Sequence, residues 1–124
     1  NKSHQCEVVA VESIFENKQS HLFEIYQELL KKMKVIGNFK VTTSAKAITI
    51  YTENRKGFMC LQPKNKFIDL WFYLDKSIEE FPVFKIVKSS SKKFAHFVRL
   101  EEKADVDNFL IGLLQESYDF IGGK

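Results

Sequence analysis

Two cysteines, two prolines, five glycines and one tryptophan are a small allotment for 124 residues, and each shortage closes off a class of protein. Cys6 and Cys60 are far apart and belong to no C-x-x-C or Cys/His pattern, so neither a disulfide framework nor a zinc module is indicated. Both are expected as reduced thiols, with Cys60 packed as a small apolar group. Low glycine and proline exclude collagen-like and low-complexity chains. No apolar run approaches the roughly 20 residues that a spanning helix needs. The opening NKSHQCEVVAVESIFENK is polar and acidic and lacks the charged-then-apolar layout of a secretory signal, so a cytoplasmic setting with no membrane contact is expected. Also missing are the glycine-rich phosphate loop, H-E-x-x-H, G-x-S-x-G and any zinc-spaced cluster. No metal, cofactor or catalytic residue is therefore assigned.

What the chain has is apolar bulk and unevenly placed charge. Hydrophobic residues make up 44% of it and twelve are phenylalanine, enough for one domain with a core built largely of rings. The net charge of +3 conceals a division: between Lys31 and Arg99 there are 15 basic residues against 5 acidic ones, whereas the two flanks carry 4 basic and 11 acidic. A basic middle between acidic ends predicts a molecule polarised in space if the middle is a sheet and the ends are helices.

The hydrophobic period supports that arrangement. In SHLFEIYQELLKKMKVIG, residues Leu22, Ile25, Tyr26, Leu29, Met33 and Ile36 recur at helical spacing, with Ser20 as the expected N-cap and Gly37 as the stop. After Gly37 the period becomes two: FKVTT, KAITIYT, GFMCLQ, KFIDLWFYL and KFAHFVRL are separated by short polar turns, and FKIVK is one further short strand. Short turns join antiparallel neighbours. DVDNFLIGLLQESYDFIGG then returns to helical spacing through Val106, Phe109, Leu110, Leu113, Leu114, Ser117 and Ile121, with Asp105 or Asp107 as the cap and Gly112 read as a close-packing position. The fold class is α+β in two layers: an N-terminal and a C-terminal helix pack on one face of an antiparallel β-meander of five or six strands. Residues 1–16 form a lead-in, either strand or helix, and residues 17–124 form the domain.

Two helices cover one face of such a sheet and leave the other. The strand KFIDLWFYL is bulky on both faces: Ile68, Leu70, Phe72 and Leu74 alternate with Phe67, Asp69, Trp71 and Tyr73. Trp71 and Tyr73 suit a half-wet surface that meets a ligand or partner, although a reversed register would return them to the core. In FAHFVRL, alternation sets Phe94, His96, Val98 and Leu100 against Ala95, Phe97 and Arg99. Two roles are open for His96, an anion donor or proton carrier, and a half-buried ring held by the backbone. Arg99 is either a forked donor to an anion or the partner of Glu101 or Asp69. Lys40, Lys46, Lys64, Lys66, Lys85, Lys88, Lys92 and Lys93 lie beside these rings, the mixture that a single-stranded nucleic acid groove uses, although soluble turns have the same composition.

The ordered series HLFEIYQELLKKMK, AKAITIY, GFMCLQPKNKFIDLWFYL, FKIVK, FAHFVRL and DVDNFLIGLLQESYDF resembles a small bacterial family known as domain of unknown function 5655, from about Phe15 to Ile121. The resemblance implies a helix, a curved antiparallel sheet and a second helix. It matches Lys46 to the basic residue that opens the family's second strand, Pro63 to its turn proline, and His96, Val98, Arg99 and Leu100 to its H-x-V-R-L strand, with Ala95 where relatives are bulkier. Some members follow a nuclease-like domain, and the resemblance carries no catalytic residue. The expected function is non-enzymatic binding of an anionic ligand (nucleotide, phosphorylated metabolite, nucleic acid or acidic peptide) through Lys46, Trp71, Tyr73, His96 and Arg99. The alternative is a homodimer or protein interaction module without a small ligand; third comes an enzyme that uses His96 with an acid such as Asp69.

Overall fold

The computed structural model describes residues 14–16, 18–44 and 46–123. Most of the lead-in, including Cys6 and the strand-or-helix choice over EVVAVESIF, lies outside them. Ile14 and Phe15 belong to the core, where Phe15 meets Phe23 edge to face at 5.3 Å.

Helix α1, Ser20–Met33, buries Leu22, Ile25, Tyr26, Leu29 and Met33, the stripe that the spacing predicts. Its N-cap is Gln19 rather than Ser20, and no side chain caps it. Lys32, in the last turn, donates through Nζ to the carbonyl of Val106 at 2.7 Å, so it ties the helix to the connection that follows the last strand. The chain then turns on Gly37 at φ 143°.

Six strands follow: β1 Phe39–Thr43, β2 Ile48–Thr52, β3 Gly57–Pro63, β4 Ile68–Leu74, β5 Val83–Ser90 and β6 Lys93–Leu100. The first four form a meander. The last two exchange places, so the order is β1-β2-β3-β4-β6-β5 and every pair is antiparallel. FKIVK thus lies in an edge strand, and FAHFVRL lies inside, between β4 and β5. Ile48, Ile50, Met59, Leu61, Ile68, Leu70, Phe72, Leu74, Val98 and Leu100 form one buried face, which joins both helices in a single apolar cluster.

A short 3₁₀ turn, Lys103–Asp105, leads into helix α2, Asn108–Gly122. Of the two expected caps, Asp107 caps α2 and Asp105 belongs to the 3₁₀ turn. Asp107 Oδ1 accepts from the N–H of Leu110 at 3.0 Å, and Asp105 Oδ2 accepts from the N–H groups of Glu101 and Glu102. The buried stripe is Leu110, Ile111, Leu113, Leu114 and Ser117. Phe109 points outward, and Ile111 takes the inner position expected of it. Gly112 is exposed, with open space where a Cβ would stand, which corrects the close-packing reading. Close approach occurs instead at Ser117, whose hydroxyl donates to Phe58 O at 3.1 Å and accepts from Tyr73 N–H at 3.2 Å. It enters the β3–β4 ladder one step past the pair Met59↔Phe72.

Candidate functional site

The sheet face opposite the helices is built by parity. Register places Thr49 beside Cys60, Cys60 beside Trp71, Trp71 beside Phe97 and Phe97 beside Lys85, a row that crosses five strands. On one side of it lies Gln62–Asp69–Arg99, and on the other Tyr73–Ala95–Val87. Thr49, Cys60, Gln62, Asp69, Trp71, Tyr73 and Phe97 are each half-buried. They are packed sideways against one another and, among the described residues, left open above.

The rings on this face carry cations. Trp71 and Phe97 stack at 5.5 Å with their planes 28° apart, an offset pair of the favoured kind. Lys85 Nζ lies 5.1 Å from the centre of Phe97, and Lys93 Nζ lies 5.1 Å from that of Tyr73. The Arg99 guanidinium sits 4.6 Å from Phe67 and 4.7 Å from Phe84. At these separations the negative ring face attracts the cation. Within the six strands the basic residues are Lys40, Lys85, Lys88, Lys93 and Arg99, and the one acid is Asp69. Arg99 Nε stands 3.8 Å from Asp69 Oδ1, close enough for an ion pair and too far for a hydrogen bond. That oxygen is buried without a hydrogen-bond partner among the described residues. The Cys60 thiol has its pKa raised by burial, partly offset by its contact with the Thr49 hydroxyl, so it stays protonated and poorly nucleophilic.

Trp71, Tyr73 and Arg99 therefore share one surface, and two of the expected site residues leave it. His96 lies on the helix side, fully buried and stacked on Phe72 at 5.4 Å. Its Nε2 accepts from the N–H of Ile78 at 3.0 Å, which leaves the proton on Nδ1 to be donated to Phe94 O at 3.0 Å. Burial lowers its pKa, opposed by the Phe94 bond. With both nitrogens engaged and no solvent access, His96 has nothing to offer a ligand or a proton-transfer step. Its work is to pin the loop between β4 and β5, and the enzyme reading that depended on it loses its residue. Lys46 stands in the β1–β2 turn and lines a separate cleft of about 420 Å³ with Lys18, Gln62 and Lys64.

Phe97, Lys85, Lys93, Phe67 and Phe84 were not among the expected site residues. Phe97 was legible by parity with Arg99. Lys85 required the β5–β6 register, which no local pattern supplies. Among the described residues, no group of three His, Cys, Asp or Glu is placed to hold a metal ion, and no helix is long and apolar enough to cross a membrane.

Fold and surface together define a two-layer α+β domain with an open, cation-decorated aromatic sheet. The family model described as Domain of unknown function (DUF5655) matches residues 11–121, and the chain belongs to that family. No curated protein and no solved structure matches it.

Proposed function

We propose that this domain is a non-enzymatic binding module that takes an anionic ligand on its open sheet face, in the cytoplasm. The observation that carries the reading is the pairing of Lys85, Lys93 and Arg99 with the rings of Phe97, Tyr73, Phe67 and Phe84 on a sheet whose lone acid is already beside Arg99. A cation over a ring keeps its charge while its solvation is reduced, so it is disposed to meet an anion. The working residues of the site are Trp71, Tyr73, Phe97, Lys85, Lys93 and Arg99. Lys46 serves a neighbouring basic cleft that meets this face at Gln62.

The test is a thermal-shift screen against nucleotides, phosphorylated sugars, acidic peptides and short nucleic acids at low and high salt. A ligand in excess raises the melting temperature by mass action, and the rise should shrink with salt. Arg99→Ala and Lys85→Ala should remove the shift, whereas Lys46→Ala should leave most of it. If no anion produces a shift at low salt, the proposal is wrong.

A second reading has one observation in its favour. Phe81 is 90% exposed, and Phe84 and Val87 are 49% and 43% exposed along edge strand β5. An apolar edge of that kind suits self-association. Sedimentation separates the two: a dimer that persists in high salt favours the edge, and a monomer favours the open face.

A further inference from the structure

We infer that the ligand of the open face is single-stranded nucleic acid, with bases stacked on Trp71, Phe97 and Tyr73 and phosphates held by Lys85, Lys93 and Arg99. The inference rests on the binding reading above and narrows it to one chemical class. An isolated phosphate or sugar phosphate would use the cations and leave the rings idle. An acidic peptide would use the cations too, and its carboxylates gain nothing from a ring face. A nucleotide strand alternates flat π systems with anions, and that is the pattern of this surface.

Three ring and cation groups repeat across it: Phe97 with Lys85, Tyr73 with Lys93, and Phe67 and Phe84 with Arg99. Trp71 lies between them, stacked on Phe97. Trp71 and Tyr73 are two residues apart on β4, so their side chains leave the same face about 6.7 Å apart along the strand. A mononucleotide reaches one such group, whereas a strand engages all three. Duplex nucleic acid hides its base faces within the stack and would find only the lysines and Arg99. Stacking on aromatics together with backbone charge gives binding that tolerates sequence, so little base specificity is expected.

Charge complementarity points the same way. By register four strand cations, Lys40, Lys85, Lys93 and Arg99, share the open face with one acid, Asp69, and Lys64, Lys66 and Lys92 stand in the turns at the two ends of the surface. The acids Glu101, Glu102, Asp105 and Asp107 gather in the β6–α2 connection. Glu101, Asp105 and Asp107 line a cleft with Arg99 and Phe84, so the acids crowd the Arg99 end of the surface and the favourable path for a polyanion runs over Lys85 and Lys93.

Trp71 is the chain's single tryptophan, so its emission reports directly on this face. The experiment titrates the purified protein with a 12-nucleotide oligo(dT), a duplex of the same length, inorganic polyphosphate and poly-glutamate. Each titration is run from low to moderate salt. The expected result is quenching by oligo(dT), with affinity at least about 10-fold above that for polyphosphate, from base stacking. Phe97→Leu keeps the apolar volume and loses the aromatic face; it should weaken oligo(dT) about 10-fold and leave the salt dependence unchanged. Lys85→Ala should instead flatten the slope of log affinity against log salt by about 0.7, one phosphate contact on a single strand.

If polyphosphate, duplex or poly-glutamate binds as well as oligo(dT), or if Phe97→Leu is silent, the nucleic acid inference is overturned and anion binding survives. If all four probes fail, and nucleotides and sugar phosphates give no thermal shift, both readings fall.

Discussion

Ser117 stands where the β3–β4 ladder would otherwise leave two buried backbone groups without partners. Ser117→Ala removes the hydroxyl and keeps the shape, so it should cost about 1–3 kcal/mol, read as a lower urea midpoint at unchanged slope. Gly112 gives the opposite expectation. It lies inside α2, with nothing within 4 Å of the place a Cβ would take, so Gly112→Ala should stabilise by up to about 1 kcal/mol. His96 supplies a pH dependence. An unfolded histidine takes up its proton near pH 6.5, whereas burial holds the folded ring below that value. Below pH 6.5 the unfolded chain then binds more protons, and stability falls as the pH drops. The melting temperature should decline from pH 6.5 towards about pH 5, before most carboxylates titrate. His96→Gln, with no proton to gain there, should flatten that decline, and an unchanged slope would show that the ring carries no such linkage.

Edge strand β5 is where the element scale matters most. It holds Phe84 and Val87 in solvent beside Lys85 and Lys88, and charged lysines are a common guard against edge-to-edge pairing. Replacing both lysines by valine should bring concentration-dependent association, measured by light scattering, while melting temperature at low concentration changes little. An unaltered monomer would remove that role. The strand exchange that puts β5 at the edge also marks the limit of what the sequence told. Helix α1, the alternation along β4 and the cap at Asp107 were readable, because each is a local period or a local hydrogen bond. The insertion of β6 between β4 and β5 was not, since no local signal distinguishes a hairpin that adds in order from one that folds back. The same gap left Lys85 as one of eight lysines read beside the rings, with nothing to single it out for the site. Parity set His96 on the face opposite Arg99, yet His96 was expected in the open-face site with Arg99. Parity could not say which face the helices cover, that Phe72 would stack on the ring or that Ile78 would fill its second nitrogen. Phe109 and Ile111 show a smaller gap: both fit a helical stripe, and packing onto the sheet decides which turns in.

On the scale of the whole molecule the division of charge along the chain survives only in part. The strands are basic, with five cations against Asp69, and α2 carries Glu116 and Asp119 without a cation, whereas α1 and the connections carry both signs. Lys85 is exposed and makes its contact with a ring rather than with a carboxylate, so Lys85→Ala should change stability by less than about 0.5 kcal/mol while it lowers anion affinity. The central claim is that the open face is the binding surface, and the most direct measurement maps where binding occurs. In a ¹⁵N correlation spectrum the single tryptophan contributes one indole N–H signal. A titration with nucleoside triphosphates and oligo(dT) at low salt should move that signal together with backbone amides of β4 and β6, and leave those of α1 unchanged. Shifts confined to the Lys46 cleft or to the C-terminal end of α2, with the Trp71 indole fixed, would contradict the account.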